Sequence, residues 1–136
     1  MPGLDHTRLD APAEIEVRIP ASASQLSIVR AVVSDIAMRA DYDLDAIADL
    51  KLAVDEACGA LVAAAEPASD LLCRFVIRAA EITVCASAPT TDATLLRQNT
   101  FGWHVLNALA DEVRSWVSDE VAHIELVKRR AKAADA

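Results

Sequence analysis

The 136-residue chain reads as an α+β protein: a two-layer sandwich in which a mixed, mostly antiparallel sheet carries helices on one face. Three observations predict this. Runs of alternating or β-rich character come in pairs joined by two-residue links, as hairpins do. Between and before these pairs lie three stretches whose apolar residues recur at helical spacing. Neither GxGxxG nor GxxxxGK[ST] occurs, which sets aside the Rossmann and P-loop parallel-sheet folds.

The elements follow in order. Residues 1–13, with Pro2, Gly3 and Pro12, read as a loose leader. Glu14 to Ile19 alternates polar and apolar as a half-buried strand does, and Pro20 stops it. Ser22 or Ser24 is placed to cap a helix in which Leu26, Val29, Val32, Val33, Ile36 and Ala37 form the apolar face. Asp41 to Asp43 is a polar joint. A second helix runs from Leu44 to Ala65, ahead of Pro67, with Ile47, Leu50, Val54, Ala57, Leu61 and Ala65 as its buried stripe. A neighbouring stripe of Asp45, Asp49, Leu52, Glu56 and Ala60 is displayed about 100° around the same helix.

Two strand-like runs, Leu71 to Arg78 and Glu81 to Ala88, meet at Ala79-Ala80. Residues 89–100 read as a loop with one weak turn near Leu95. A third helix spans Phe101 to Leu109, and a last strand pair, Glu112 to Ser118 and Val121 to Arg129, turns at Asp119-Glu120. A basic tail closes the chain over residues 130–136.

Composition narrows the function classes. With Lys+Arg 13 against Asp+Glu 21 and a formal net charge of -8, the chain lacks the basic surface that phosphate backbones require, so nucleic acid is not expected as a partner. No apolar run is long enough to span a bilayer, and the first residues do not read as a signal peptide, so a cytoplasmic protein without a membrane partner is expected. Cys58, Cys73 and Cys85 sit in apolar stretches without CxxC spacing, read as small buried hydrophobes in a reducing compartment, and no metal site is expected.

Two segments carry more. One is the stretch from Asp49 to Ala60, which contains Asp55-Glu56; the other is Thr100 to Val113, which opens with Thr100-Phe101-Gly102-Trp103. With the element order, they resemble the GHKL (Bergerat-fold, histidine-kinase-like ATPase) superfamily in its RsbW-type anti-sigma-factor branch, over residues 14–129. The resemblance implies that the helix at Leu50 to Cys58 corresponds to the family's N-box. There a Glu acts as general base and an Asn four residues later holds Mg²⁺, on one helix face. The base position falls on Glu56, the Asn position on Ala60, and a His common one turn later on Ala64.

The family's adenine-reading Asp and its glycines would fall in Ala86 to Thr90, which has neither, with Asp92 the nearest carboxylate. In the second glycine box Gly102 remains and Thr100 replaces the preceding glycine. ATP and Mg²⁺ are therefore implied by the resemblance, held weakly or lost, with Thr100 and Gly102 as the candidate nucleotide contacts.

Function is expected to follow the same branch: sequestration of a sigma factor, reversed by an anti-anti-sigma antagonist. The alternative is an active ATP-dependent serine/threonine kinase that phosphorylates the antagonist, with Glu56 as base. A third reading is a homodimeric module lacking both activities, paired along an exposed edge near the first strand. Glu56 itself reads as a solvated carboxylate, a residual base or a partner contact.

Asp41, Asp45 and Asp49, with Asp35 and Asp43, read either as a face for a basic partner patch or as ordinary solubilising charge. Asp55 reads as a surface charge, Trp103 as sheet packing, and His123 as a surface or edge residue. His104 has no triad spacing around it.

Overall fold

The computed structural model describes residues 13–92 and 100–131. Strand β1 (Ala13–Pro20) is followed by a 3-10 turn (Ala23–Gln25), helix α1 (Leu26–Arg39) and helix α2 (Leu44–Ala64). Then come β2 (Asp70–Ile77), β3 (Glu81–Pro89), helix α3 (Phe101–Leu109), β4 (Glu112–Ser118) and β5 (Val121–Arg129). The expected leader, most of the 89–100 loop with its turn near Leu95, and most of the basic tail lie outside the described residues.

The sheet order is β1-β2-β3-β5-β4, and every neighbouring pair is antiparallel. β1 and β4 are thus the edges. The α+β two-layer sandwich and all eight sequence-read elements are present, with ends shifted by a residue or two.

One face of each inner strand is buried under the helices. Leu71, Cys73 and Phe75 of β2, Ile82, Val84, Ala86 and Ala88 of β3, and Ala122, Ile124 and Leu126 of β5 pack with Leu26, Val29, Val33 and Ile36 of α1. Leu50, Val54, Ala57 and Leu61 of α2 and Leu106 of α3 complete this core. α2 buries a broader face than its single stripe suggested, because Ala53, Cys58 and Ala64 are covered as well. A helix flanked by two others over a sheet loses solvent on most of its circumference, and small side chains permit the close approach.

The joints explain what the sequence left open. Neither Ser22 nor Ser24 caps α1: the intervening 3-10 turn puts Gln25 at the N-cap in helical geometry, and the two serine hydroxyls bond each other at 3.0 Å. α2 is capped by Asp43, whose Oδ1 accepts from the Ala46 N–H at 2.7 Å. Asp41 takes a left-handed φ of 62° that turns the chain between the helices. The β4–β5 link uses Asp119 and Glu120, both at positive φ, the geometry of a two-residue hairpin turn.

Within the polar joint, Tyr42 is buried, and its hydroxyl donates to the Lys128 carbonyl of β5 at 2.6 Å. This bond ties the α1–α2 corner to the sheet. Burial pushes the phenol up from 10.0 to about 12. The fold therefore holds the neutral phenol: its stabilisation is complete below pH 10.0 and is lost as pH rises through about 12. Tyr42 is the only tyrosine, so tyrosinate absorbance reads it alone. The folded chain should ionise near pH 12 and the urea-unfolded chain near pH 10. Tyr42→Phe should cost about 1 kcal/mol in urea denaturation.

Candidate functional site

The site is built where α2 passes the start of α3. Thr100 is the N-cap of α3, its Oγ1 accepting from the Trp103 N–H at 3.1 Å. Gly102 is then the second residue of that helix. A Cβ built on Gly102 would stand 2.6 Å from Oε2 of Glu56 and 3.4 Å from its Cδ. The missing side chain is what lets the half-buried Glu56 carboxylate lie against the first turn of α3. A helix N-terminus favours negative charge there. Glu56, Thr100 and Gly102, read separately from the sequence, are thus brought together.

One turn further along α2, Ala60 presents a methyl that packs against the core. A methyl cannot coordinate a cation. Among the described residues no three His, Cys, Asp or Glu side chains group as metal ligands.

The end of α2 is held by a residue that sequence reasoning missed. Thr90, just after β3, is 1% exposed, and its Oγ1 donates to the Ala64 carbonyl at 2.7 Å. The same oxygen accepts from the Asp92 N–H at 3.0 Å, and the Glu66 N–H donates to the Pro89 carbonyl at 2.9 Å. These bonds pin the end of β3 to the last turn of α2. The only signal in the sequence is a threonine following an apolar strand, which is too common to single out.

Several charges expected to face solvent are engaged within the chain. Asp55 accepts from Arg30 of α1 at 2.5 Å, so it clips two helices together and is not a plain surface charge. Asp49 lies 3.5 Å from the Lys128 ammonium, which also donates to the Leu109 carbonyl at the end of α3. Asp35 pairs with Arg39 one turn away at 2.7 Å. Asp41 and Asp45 are exposed beside Leu44, Leu52 and Met38, of which Leu44 is 82% exposed. Trp103 packs against the core, as expected, and His104 is exposed.

His123 is not at an edge. β5 lies inside the sheet, and on its open face the imidazole stacks on Trp116 with centroids 4.9 Å apart, so burial lowers its pKa from the ordinary value. Arg114 lies over the same indole and pairs with Glu125 at 2.7 Å.

With this geometry in place, likeness to known proteins decides the family. The model of the histidine kinase-like ATPase domain matches residues 19–128. The chain belongs to the histidine kinase-like ATPase family. Within it, the chain is 38% identical over 126 residues to the anti-sigma-F factor RsbW of Mycobacterium tuberculosis, an alignment covering 86% of this chain and 74% of that one.

A shorter match, 46% over 44 residues, covers 32% of this chain and 28% of the serine-protein kinase RsbW of Bacillus subtilis. In structure, the chain superposes with a TM-score of 0.69 on the crystal structure of the RsbU and RsbW domains of Rv1364c from Mycobacterium tuberculosis. That match covers 90% of this chain and 34% of the longer one at 15% identity, a likeness of fold.

The contact between Glu56 and Gly102 is measurable. Alanine is favoured over glycine within a helix by up to about 1 kcal/mol. In the wild-type background Gly102→Ala should forfeit this gain, because the new methyl displaces the Glu56 carboxylate. In a Glu56→Ala background the same change should stabilise by about 0.5–1 kcal/mol in urea denaturation. Equal effects in both backgrounds would mean that the two residues do not touch.

Proposed function

We propose that this chain is an RsbW-type anti-sigma factor that captures a sigma factor, is released by an anti-anti-sigma antagonist, and no longer depends on nucleotide chemistry. The observation that carries the reading is 38% identity to an anti-sigma-F factor over most of both chains. Retention of the scaffold supports capture, since a mask needs a stable surface more than it needs a reaction. A partner bound on this surface is withheld from its other binding equilibria by mass action.

The residues present do not fit Mg²⁺-ATP as the family holds it. Ala60 stands where the metal-binding amide is expected, and among the described residues no three His, Cys, Asp or Glu side chains group as metal ligands. No carboxylate occupies Ala86 to Thr90, where adenine would be read. Thr100 spends its hydroxyl on capping α3, and Glu56 itself fills the space beside Gly102 that a phosphate would approach. No catalytic step is therefore derived through the nucleotide.

The sigma-binding face is assigned to the α1–α2 corner. Asp41 and Asp45 supply charge, with Asp49 at the margin, and Met38, Leu44 and Leu52 supply exposed apolar area. Charge of this sign would speed encounter with a basic patch, while the apolar side chains would hold it. The β1 edge is available for a second copy. Action in the cytoplasm, where sigma factors work, goes with the anti-sigma reading; no described helix is long and apolar enough to cross a membrane.

The kinase reading keeps two supporting observations: the 46% identity over 44 residues to a serine-protein kinase RsbW, and Glu56 at the base position beside the first turn of α3. Isothermal titration with Mg²⁺-ATP, followed by phosphate transfer to a purified antagonist, separates the two. The capture reading expects no saturable binding below millimolar nucleotide and no transfer. Robust transfer that Glu56→Ala abolishes would establish the kinase instead. For the partner face, Leu44→Asp with Leu52→Asp should weaken recovery of the sigma factor at least tenfold, with the melting curve unchanged, because both side chains are already exposed.

A further inference from the structure

Two thiols meet in the core. Cys58 projects from α2 and Cys73 from β2, their Sγ atoms are 3.8 Å apart, and they are 1% and 0% exposed. The third cysteine is elsewhere. Cys73 sits opposite Ala86 in the β2–β3 register, whereas Cys85 sits opposite Arg74, so Cys85 lies half-buried on the other face of the sheet. Side chains alternate between faces along a strand, and Cys85 therefore cannot reach the pair.

We propose that Cys58 and Cys73 form a reversible disulfide, made by a small hydroperoxide, that ties α2 to the sheet. A disulfide needs its sulfurs about 2.05 Å apart, so the pair must close by roughly 1.8 Å, a distance that side-chain rotation and a small shift of the helix can supply. The S–H of Cys58 can donate to Cys73, a bond that lowers the Cys73 pKa and raises that of Cys58, so Cys73 is the sulfur favoured to lose its proton, and attack by either gives the same disulfide.

The Cys73 thiolate attacks hydrogen peroxide; the S–O bond forms as O–O breaks, and hydroxide leaves as water with the proton released by the thiol. The Cys58 sulfur then attacks the sulfenic sulfur, S–S forms as S–O breaks, and its proton departs with the second water. Two thiols and one peroxide give one disulfide and two waters. Burial makes the reaction wait on local opening, so it is slow in the native protein. α2 carries Glu56 and the exposed Leu44–Leu52 face, so the bond stiffens the helix that presents both.

The test treats the full chain with hydrogen peroxide, blocks remaining thiols, and maps peptides without reduction. A linked Cys58–Cys73 peptide is expected, with an intact mass lower by about 2 Da and recovered by dithiothreitol. Cys85→Ser should leave the link intact, while Cys58→Ala and Cys73→Ala should each abolish it. Because those core variants can lose stability, amide hydrogen exchange on the wild-type chain supplies a second readout: α2 amides should slow at least tenfold on oxidation. Free Cys58 and Cys73 recovered after unfolding the treated protein, with only Cys85 modified, would overturn the proposal. So would a lone sulfinic acid at either position.

Discussion

Burial of α2 is the constraint on which the rest of this structure depends. The helix lies over the sheet with α1 on one side and α3 on the other, and Leu50, Ala53, Val54, Ala57 and Leu61 are covered almost completely. Once that face is fixed, the 3.6-residue repeat leaves no freedom for its neighbours. Glu56 must point toward α3, Asp55 toward α1, and Asp45 with Leu52 toward solvent. The outward-facing positions of α2 are thus placed by packing that has nothing to do with chemistry.

Both ends of α2 are then clamped by polar contacts that its apolar stripe does not announce. At the start, Asp43 caps the helix, Tyr42 reaches the Lys128 carbonyl, and the Lys128 ammonium reaches both Asp49 and the last carbonyl of α3. At the end, Thr90 and the Pro89 carbonyl hold the last turn against β3. A half-buried lysine with two oxygen partners and a buried threonine with its hydroxyl satisfied add little net energy each, yet leaving any of them unpaired would be costly.

What the sequence made legible followed from periodicity. The helical repeat in α1 and α2 marked the residues that face the core, alternation marked β1 as a strand although its Ile15 is 41% exposed, and the third helix runs over the expected Phe101–Leu109. Contacts made between elements distant in the chain were not legible. Tyr42 looked polar because it sits between two aspartates, while its partner is 86 residues away. Asp55 and Asp49 looked solvated because their cationic partners lie on α1 and β5. Of the site, the resemblance picked out Glu56, Thr100 and Gly102, but their mutual geometry, with a carboxylate standing where a methyl would be, exists only after α2 and α3 have docked. Of the two readings of His123, a surface position holds, on the open face of the sheet, and an edge position does not, because strand order cannot be read from strand character and β5 is an inner strand.

The claim at the centre of this account is that macromolecular capture here is independent of nucleotide. The measurement that reaches it most directly is the affinity of the purified chain for its sigma factor, taken once with EDTA and once with saturating Mg²⁺-ATP. The same dissociation constant is expected in both. A tightening of about tenfold or more with nucleotide, equivalent to about 1.4 kcal/mol of coupling, would contradict it.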